Sequence, residues 1–506
     1  MNNGAMVKSN PSDATPPLLT WGMAAVIIGA ATALFGTYWD EGWHTDFGRD
    51  TFWIPPHIVL FGGVAISGVA VALWTFLSYL QHKDLRATLR RGSLLLGLIG
   101  ILATLGSAPI DDFWHASFGR DSVLFSAPHT FGLFGIFALL GGALLEASRI
   151  SGLSRRWLIP FGSAAILATL LVMAFEYDAD VPQFAVFWYL PILVTASTLA
   201  FALSHNVSRD EWIATKAALI YTALMVGVFI FLTVLGLSKP ILPVVIIPAL
   251  VFDLAARRRL SRPILAGLFT IVWFATYAPY LNYVTDGVQL ELLDIAAGIP
   301  FAFVLSWLTL MLTSTGWPRV SPKILAVLTA LLVANLSLLP VMAHDPGQGD
   351  EIGQMQLVAS VMEGGAVNVA ASLPGIEDCE LFNPVRITAR RAGQTLHGTL
   401  ERKEACRFSG AIALPERGRW FVYAELTRSG EDLEAWIAVI VSDNPRTFER
   451  SSSLYIPPES IESPLKVVVS VILYAVNLVL VGAVIVLFRR QARTMGGIRE
   501  VRDGPQ

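Results

Sequence analysis

The sequence predicts a mainly α-helical polytopic membrane protein, with about 12 transmembrane helices and a small extracytoplasmic β-sandwich domain near the C-terminus. Three observations carry that prediction. Of 506 residues, 54% are hydrophobic and only 15% charged, a composition that belongs to membrane proteins rather than to soluble ones. Runs of mostly apolar residues recur along the chain, each long enough at about 1.5 Å per residue to cross a hydrocarbon core of about 30 Å. One long polar stretch, 344–462, interrupts them and has a different texture.

In chain order, a polar tail (1–16) precedes two helical hairpins within 17–148, with apolar runs near 17–38, 56–80, 92–110 and 127–148. Further membrane helices are expected in 149–343, near 157–175, 184–204, 215–236, 240–255, 264–284, 292–313 and 322–343. A last helix near 464–488 opens the C-terminal segment 463–506. The first run has no basic region directly before it and continues into a charged motif, so it reads as a retained helix rather than a cleaved signal peptide.

Charge placement sets the expected orientation. Lys83 to Arg91, Arg149 to Arg156, Arg257 to Arg262, Arg319 to Lys323 and the tail from Arg489 all fall on one side. Short loops rich in Lys and Arg face the cytoplasm, so both termini are expected there, in a cytoplasmic (inner) membrane, with 344–462 outside. The net charge of −3 implies neither nucleic acid nor an acidic partner. The expected partners are the lipid bilayer and either partner subunits or a second copy of the chain.

Within 344–462, the segments Gln356 to Met362, Val385 to Arg390, Thr395 to Glu401, Trp420 to Leu426 and Glu434 to Val441 are short, β-branched or aromatic, and bounded by turn residues. They predict the strands of the sandwich. The only two cysteines, Cys379 and Cys406, both lie here on the oxidising side, which predicts a disulfide. Met355 and Met362 are expected in the core of this domain. A blue-copper site is not expected, because no Cys is left to supply a thiolate beside imidazoles.

The chemistry sits in an internal repeat. Asp40 to Gly62 reads DEGWHTDFGRDTFWIPPHIVLFG, and Asp111 to Gly135 reads DDFWHASFGRDSVLFSAPHTFGLFG. Shared Trp-His, Phe-Gly-Arg-Asp and Pro-His elements cannot come from hydrophobic patterning, which repeats only apolar residues. Asp40 and His44 are four apart and so share one helix face. His57 follows Pro55-Pro56 and should open the partner helix at the same depth. Asp111, His115 and His129 repeat the construction.

One carboxylate and two imidazoles suit copper, zinc or iron, whereas calcium prefers oxygen cages. Three ligands leave a fourth position open. Arg49, Asp50, Arg120 and Asp121 are expected to orient the ligating groups by hydrogen bonding. Trp43 and Trp114 read as aromatic residues of the membrane interface, and Glu176, Asp178 and Asp180 as a solvated acidic loop. His82 and His205 read as ordinary side chains at the opposite membrane surface. Haem held by paired histidines is a rival reading, although haem ligation does not call for a carboxylate at helical spacing.

At these residues the chain resembles the C subunit of the copper membrane monooxygenases, the family of particulate methane and ammonia monooxygenases. That family's motif is Asp-x2-Trp-His-x4-Arg-Asp-Thr followed by Pro-x-His, matched here by Asp40, Trp43, His44, Arg49, Asp50, Thr51, Pro55 and His57. Its neighbouring site has Asn-x3-His-x13-His; Asp111, His115 and His129 keep the spacing with Asp for Asn. The resemblance covers roughly 30–140. It implies copper at Asp40, His44 and His57, and dioxygen-dependent oxidation of a small apolar substrate with electrons from a quinol or another donor. The β domain is similar in kind to the cupredoxin-like domains of the family's B subunit. Val341-Met342-Ala343 before His344 resembles a signal-peptidase site, but the chain continues from a membrane helix and offers only His397 as a second imidazole, so an intact chain is expected. Non-enzymatic copper storage, transfer or sensing stays open beside the enzymatic reading.

Overall fold

The computed structural model describes residues 17–47, 53–118, 125–180, 182, 184–285, 287–314, 350–376, 378–391, 394–457 and 463–502. The run expected near 322–343, Val341-Met342-Ala343 and His344 lie outside the described residues.

The first hairpin pairs α1 (Pro17–Phe47) with α2 (Pro55–His82), and after a short α3 (Leu85–Leu89) the second pairs α4 (Gly92–Phe118) with α5 (Ala127–Ala147). Both hairpins cross through glycine. A Cβ on Gly63 would lie 2.4 Å from the Gly29 carbonyl oxygen, and one on Gly135 would lie 2.6 Å from Thr104 Oγ1 and 3.0 Å from the Gly100 carbonyl oxygen. Only residues without a side chain let the backbones approach this closely. Gly29 and Gly100 stand eleven residues before Asp40 and Asp111, and Gly63 and Gly135 six after His57 and His129. The repeat therefore extends from the polar motif into the packing of the helices that carry it.

The remaining helices are α6 (Leu153–Leu171), α7 (Phe175–Asp178), α8 (Tyr189–Val207), α9 (Ile213–Val234), α10 (Ile246–Arg257), α11 (Arg262–Val284), α12 (Leu292–Thr313) and α13 (Pro464–Arg502). Among the described residues, 10 helices are long and apolar enough to cross a bilayer. The chain is a multi-pass membrane protein. Instead of a full helix over 240–255, α10 starts only at Ile246 and runs 12 residues, about 18 Å. Pro240 and Pro243 lack the N–H that a helix would need before it. The non-helical segment ahead of α10 is held by protein partners: Ser238 N donates to Asp46 Oδ2 at 2.5 Å and Ile241 N to the Asp178 carbonyl at 2.7 Å.

The polar domain is a closed eight-stranded antiparallel barrel rather than a sandwich, in the order β1-β2-β5-β4-β3-β6-β7-β8. Its strands are β1 (Asp350–Val361), β2 (Ala366–Ser372), β3 (Phe382–Arg391), β4 (Gln394–Glu404), β5 (Arg407–Ala413), β6 (Gly418–Arg428), β7 (Glu431–Val441) and β8 (Arg446–Ile456). Closure comes from β1 pairing along its length with β8, from Asp350 opposite Ile456 to Val361 opposite Arg446, which leaves no free edge. Met355, Leu357, Ile387 and Trp420 fill the interior. Met362 does not join them; it follows β1 into a turn and is 46% exposed. Cys379 and Cys406 form the disulfide.

Glu176, Asp178 and Asp180 are not a solvated loop. All three are buried: Asp178 accepts from the Tyr189 hydroxyl within the membrane domain, and the barrel covers Asp180. Phe421, Tyr423, Trp436 and Tyr455 on its outer wall pack with Ala179. Arg391 Nη1 donates to Asp180 Oδ1 at 2.9 Å and the Arg419 N–H to Asp180 Oδ2 at 2.5 Å. The barrel thus sits on the membrane domain at the end where α1 finishes.

Candidate metal centre

Pro55 and Pro56 occupy the first two positions of α2, behind Ile54, which leaves His57 in the first turn as its spacing predicts. From there His57 Nε2 reaches Asp40 Oδ1 at 3.1 Å, while His44 Nε2, one turn along α1, lies 3.2 Å from the same oxygen. The ligand atoms of all three residues fall within 4.8 Å of one another. Ligand atoms about 2.0 Å from a tetrahedral ion stand about 3.3 Å apart, so the two measured separations suit a single small ion bound by a carboxylate and two imidazoles. His44 is 7% exposed and the other two side chains are half-buried, which leaves one flank of the cluster open.

The second hairpin repeats the geometry. Ser126 caps α5, its hydroxyl accepting from the His129 N–H at 3.4 Å, and Pro128 fills the position before His129. His129 Nε2 then lies 3.1 Å from Asp111 Oδ1, the separation seen between His57 and Asp40. His115 follows Asp111 by one turn of α4; its side chain lies outside the described residues. Arg49, Asp50, Arg120 and Asp121 also lie outside them.

Around the first cluster, Trp43 packs against Phe47 with ring centroids 4.9 Å apart, and the Thr45 hydroxyl donates to Glu41 Oε1 at 3.4 Å. Trp114, beside the second cluster, is buried against Phe118 and Leu473 of α13 rather than lying at an exposed interface. Among the described residues, the other histidines lie away from both clusters. His82 is exposed, and His205 pairs at 2.8 Å with Asp253, whose carboxylate also accepts from Thr215 N and Oγ1 and so caps the start of α9. His397 Nδ1 meets the Thr388 hydroxyl on the barrel wall.

Asp46 and Asp180 are the contributors that motif reading missed. Asp46 closes the last turn of α1, two residues beyond His44. Its carboxylate accepts from Ser238 N and from Ser238 Oγ at 2.6 Å, and Arg419 of β6 donates to that hydroxyl at 3.0 Å. The end of the ligand-bearing helix is therefore tied to the barrel through one serine. Arg450 also faces Asp46; burial lowers its guanidinium to about 10, with Asp46 opposing, so it keeps its charge at neutral pH. A signal for Asp46 did exist, since it is an acid that the second copy of the repeat replaces by Ser117.

No family model matches the chain, no curated protein matches it, and no solved structure matches it.

Proposed function

We propose that this membrane protein binds copper at Asp40, His44 and His57, with a second ion at Asp111, His115 and His129, and that the bound metal serves oxidation of a small apolar substrate by dioxygen. One observation carries the reading: a single carboxylate oxygen lies 3.2 and 3.1 Å from two imidazole nitrogens supplied by facing helices. The donor set of one oxygen and two nitrogens fits a first-row transition ion. The resemblance to the copper membrane monooxygenases selects copper from zinc and iron. A carboxylate oxygen between the two imidazoles favours a small ion over haem, whose iron would need that space.

When bound, the ion supplies redox chemistry at the lipid surface. The chain's own residues hold it at the ends of α1 and α2 that meet at the first loop, with His44 buried and the flank of Asp40 and His57 open. Apolar substrates dissolve in the bilayer and reach such a site laterally, while a quinol or another donor supplies the electrons. The distribution of Lys and Arg supports an orientation with this end, and the barrel, outside the cytoplasm.

The test is metal analysis of purified protein, wild type beside His44→Ala and His115→Ala. Copper in the wild type with a loss in each variant supports the sites, and full metal in both variants would end the assignment. Oxygen uptake that needs both the metal and a short hydrocarbon or ammonia supports the enzyme. Reversible copper loading with no such uptake assigns storage or transfer instead.

A further inference from the structure

The two hairpins differ in what covers them. On the second, α13 lies along the groove between α4 and α5: a Cβ on Gly141 would fall 3.3 Å from the Val484 side chain, and one on Gly92 would fall 3.0 Å from that of Leu487. Toward the other end of the same groove Leu473 packs with Trp114 and Phe118, and Asn477 Nδ2 donates to Thr130 Oγ1 at 3.1 Å. Among the described residues, none covers the matching positions of the first hairpin. Gly92 stands nineteen residues before Asp111 and Gly141 twelve after His129; Trp21 and Val69 hold those places relative to Asp40 and His57. Trp21 is 72% exposed and Val69 62%, and Phe47, the counterpart of the buried Phe118, is exposed as well. A hollow of about 500 Å³ opens between α1 and α2 there, lined by the small residues Gly22, Ala25 and Ala70 and by the exposed side chains of Trp21, Val69 and Leu73.

Lipid tails are as apolar as leucine, so exposure of an apolar face in a bilayer names no partner by itself. The repeat does name one. Its two copies match at the Gly29–Gly63 and Gly100–Gly135 crossings, and in the second copy the groove beside the crossing holds a membrane helix. That helix has a second face to offer. Leu473, Leu480, Val484 and Phe488 of α13 are buried, whereas Val468, Ile472, Val479 and Val486 are exposed. The exposed set recurs at intervals of four and seven residues and so forms one ridge, on the side of α13 turned away from α4 and α5. Branched side chains on a ridge fill a groove lined by small residues, and such packing drives the association of helices in lipid. Groove and ridge belong to different helices of one chain, so a contact between copies runs head to tail and closes into a ring where the rotation allows.

We propose that the groove between α1 and α2 binds the exposed face of α13 from a second copy of the chain, and that this contact holds the protein as a homo-oligomer. Two copies in one membrane share one orientation, so the levels along the helices carry over from the second hairpin. Gly92 and Gly141 meet α13 at Leu487 and Val484; on the exposed face of the same turn, Val486 is the residue that comes to Trp21 and Val69. The metal ligands take no part, because Trp21 stands nineteen residues before Asp40, about 28 Å along α1.

The experiment uses the full chain in its membrane. Two single variants, Val69→Cys and Val486→Cys, are co-expressed and treated with a short thiol cross-linker; Cys379 and Cys406 are held in their disulfide and do not react. A product of two chains should form, and only when both variants are present. Val468→Cys in place of Val486→Cys stands about 27 Å further along α13 and should give none. Native mass spectrometry of the wild type, released from mild detergent, should then give a whole multiple of the mass of one chain. Ala65→Trp fills the hollow from an exposed position on α2 and should give the mass of a single chain at unchanged helix content by circular dichroism. Leu102→Trp, equally exposed on α4 but outside the hollow, should keep the multiple. A missing Val69 to Val486 product, a cross-link between two Val69→Cys chains, or a multiple that Ala65→Trp leaves intact overturns the proposal. So does a wild type with the mass of one chain, its groove filled by lipid or by another protein's helix. None of these outcomes bears on copper at Asp40, His44 and His57.

Discussion

Arg391 and Asp180 join the two halves of the molecule: the guanidinium, 2% exposed, donates from β3 to a carboxylate that belongs to the membrane domain. The same guanidinium also donates to the Arg419 carbonyl at 2.7 Å and lies against Gly418, where a Cβ would fall 2.5 Å from Nη2. Gly418 sits at φ +105, a conformation that other residues rarely adopt, so the site needs glycine twice over. Arg391→Ala leaves a buried carboxylate without its cation and should cost about 3–5 kcal/mol of docking stability. Arg386→Ala removes a half-exposed partner of Glu425 and should cost under about 1 kcal/mol. Limited proteolysis of the barrel, scored against temperature, measures the difference.

The glycine crossings offer a sharper contrast. Gly63→Ala forces a methyl group to 2.4 Å from a backbone oxygen that cannot rotate away, whereas nothing lies within 4 Å of a Cβ on Gly62. The first change should destabilise the hairpin by about 1–3 kcal/mol and the second should be nearly silent. Gly135→Ala should behave like Gly63→Ala. Thermal unfolding in one detergent, read on all three variants, checks this.

Much of this was legible in the residues. Hydropathy placed nearly every described membrane helix, because an apolar run of spanning length has few other uses. Pro55-Pro56 and Pro128 placed His57 and His129 in the first turns of α2 and α5. Two kinds of information were missing. Whether strands close into a barrel depends on β1 meeting β8 across almost the whole domain, and no local pattern encodes a pairing so distant. Asp180 looks solvated in sequence because its partners, Arg391 and the Arg419 N–H, arrive from more than two hundred residues away. The half-length α10 was readable from Pro240 and Pro243, which weigh more than the apolar run around them.

Ser126 gives the second hairpin a helix cap that the first lacks, since Ile54 has no side chain able to accept a hydrogen bond. Ser126→Ala should cost about 1 kcal/mol and loosen the turn that presents His129. Metal affinity of the second site should fall while that of the first is unchanged, which calorimetric titration of the single variant resolves.

Reduction of Cys379–Cys406 opens a loop with a sequence separation of 27 residues. The cross-link should contribute about 2–4 kcal/mol to the barrel. A reducing agent should lower the barrel's unfolding temperature and leave the helical transition in place; a single shared shift of both transitions would mean that barrel and helices unfold together.

The two hairpins make the strongest quantitative forecast. Each brings its own aspartate and N-terminal-turn histidine to 3.1 Å. Metal content should therefore fall in independent steps. Asp40→Ala or His57→Ala removes the ion of the first hairpin, His129→Ala removes that of the second, and the combination of His57→Ala with His129→Ala removes both. Sites far enough apart to share no partners lose binding additively. If His57→Ala alone empties both positions, the ligands belong to one shared centre, and the hairpins must approach each other in the metal-bound protein. If it empties neither, the carboxylate and imidazoles only hydrogen-bond, and the repeat serves the packing of its helices alone.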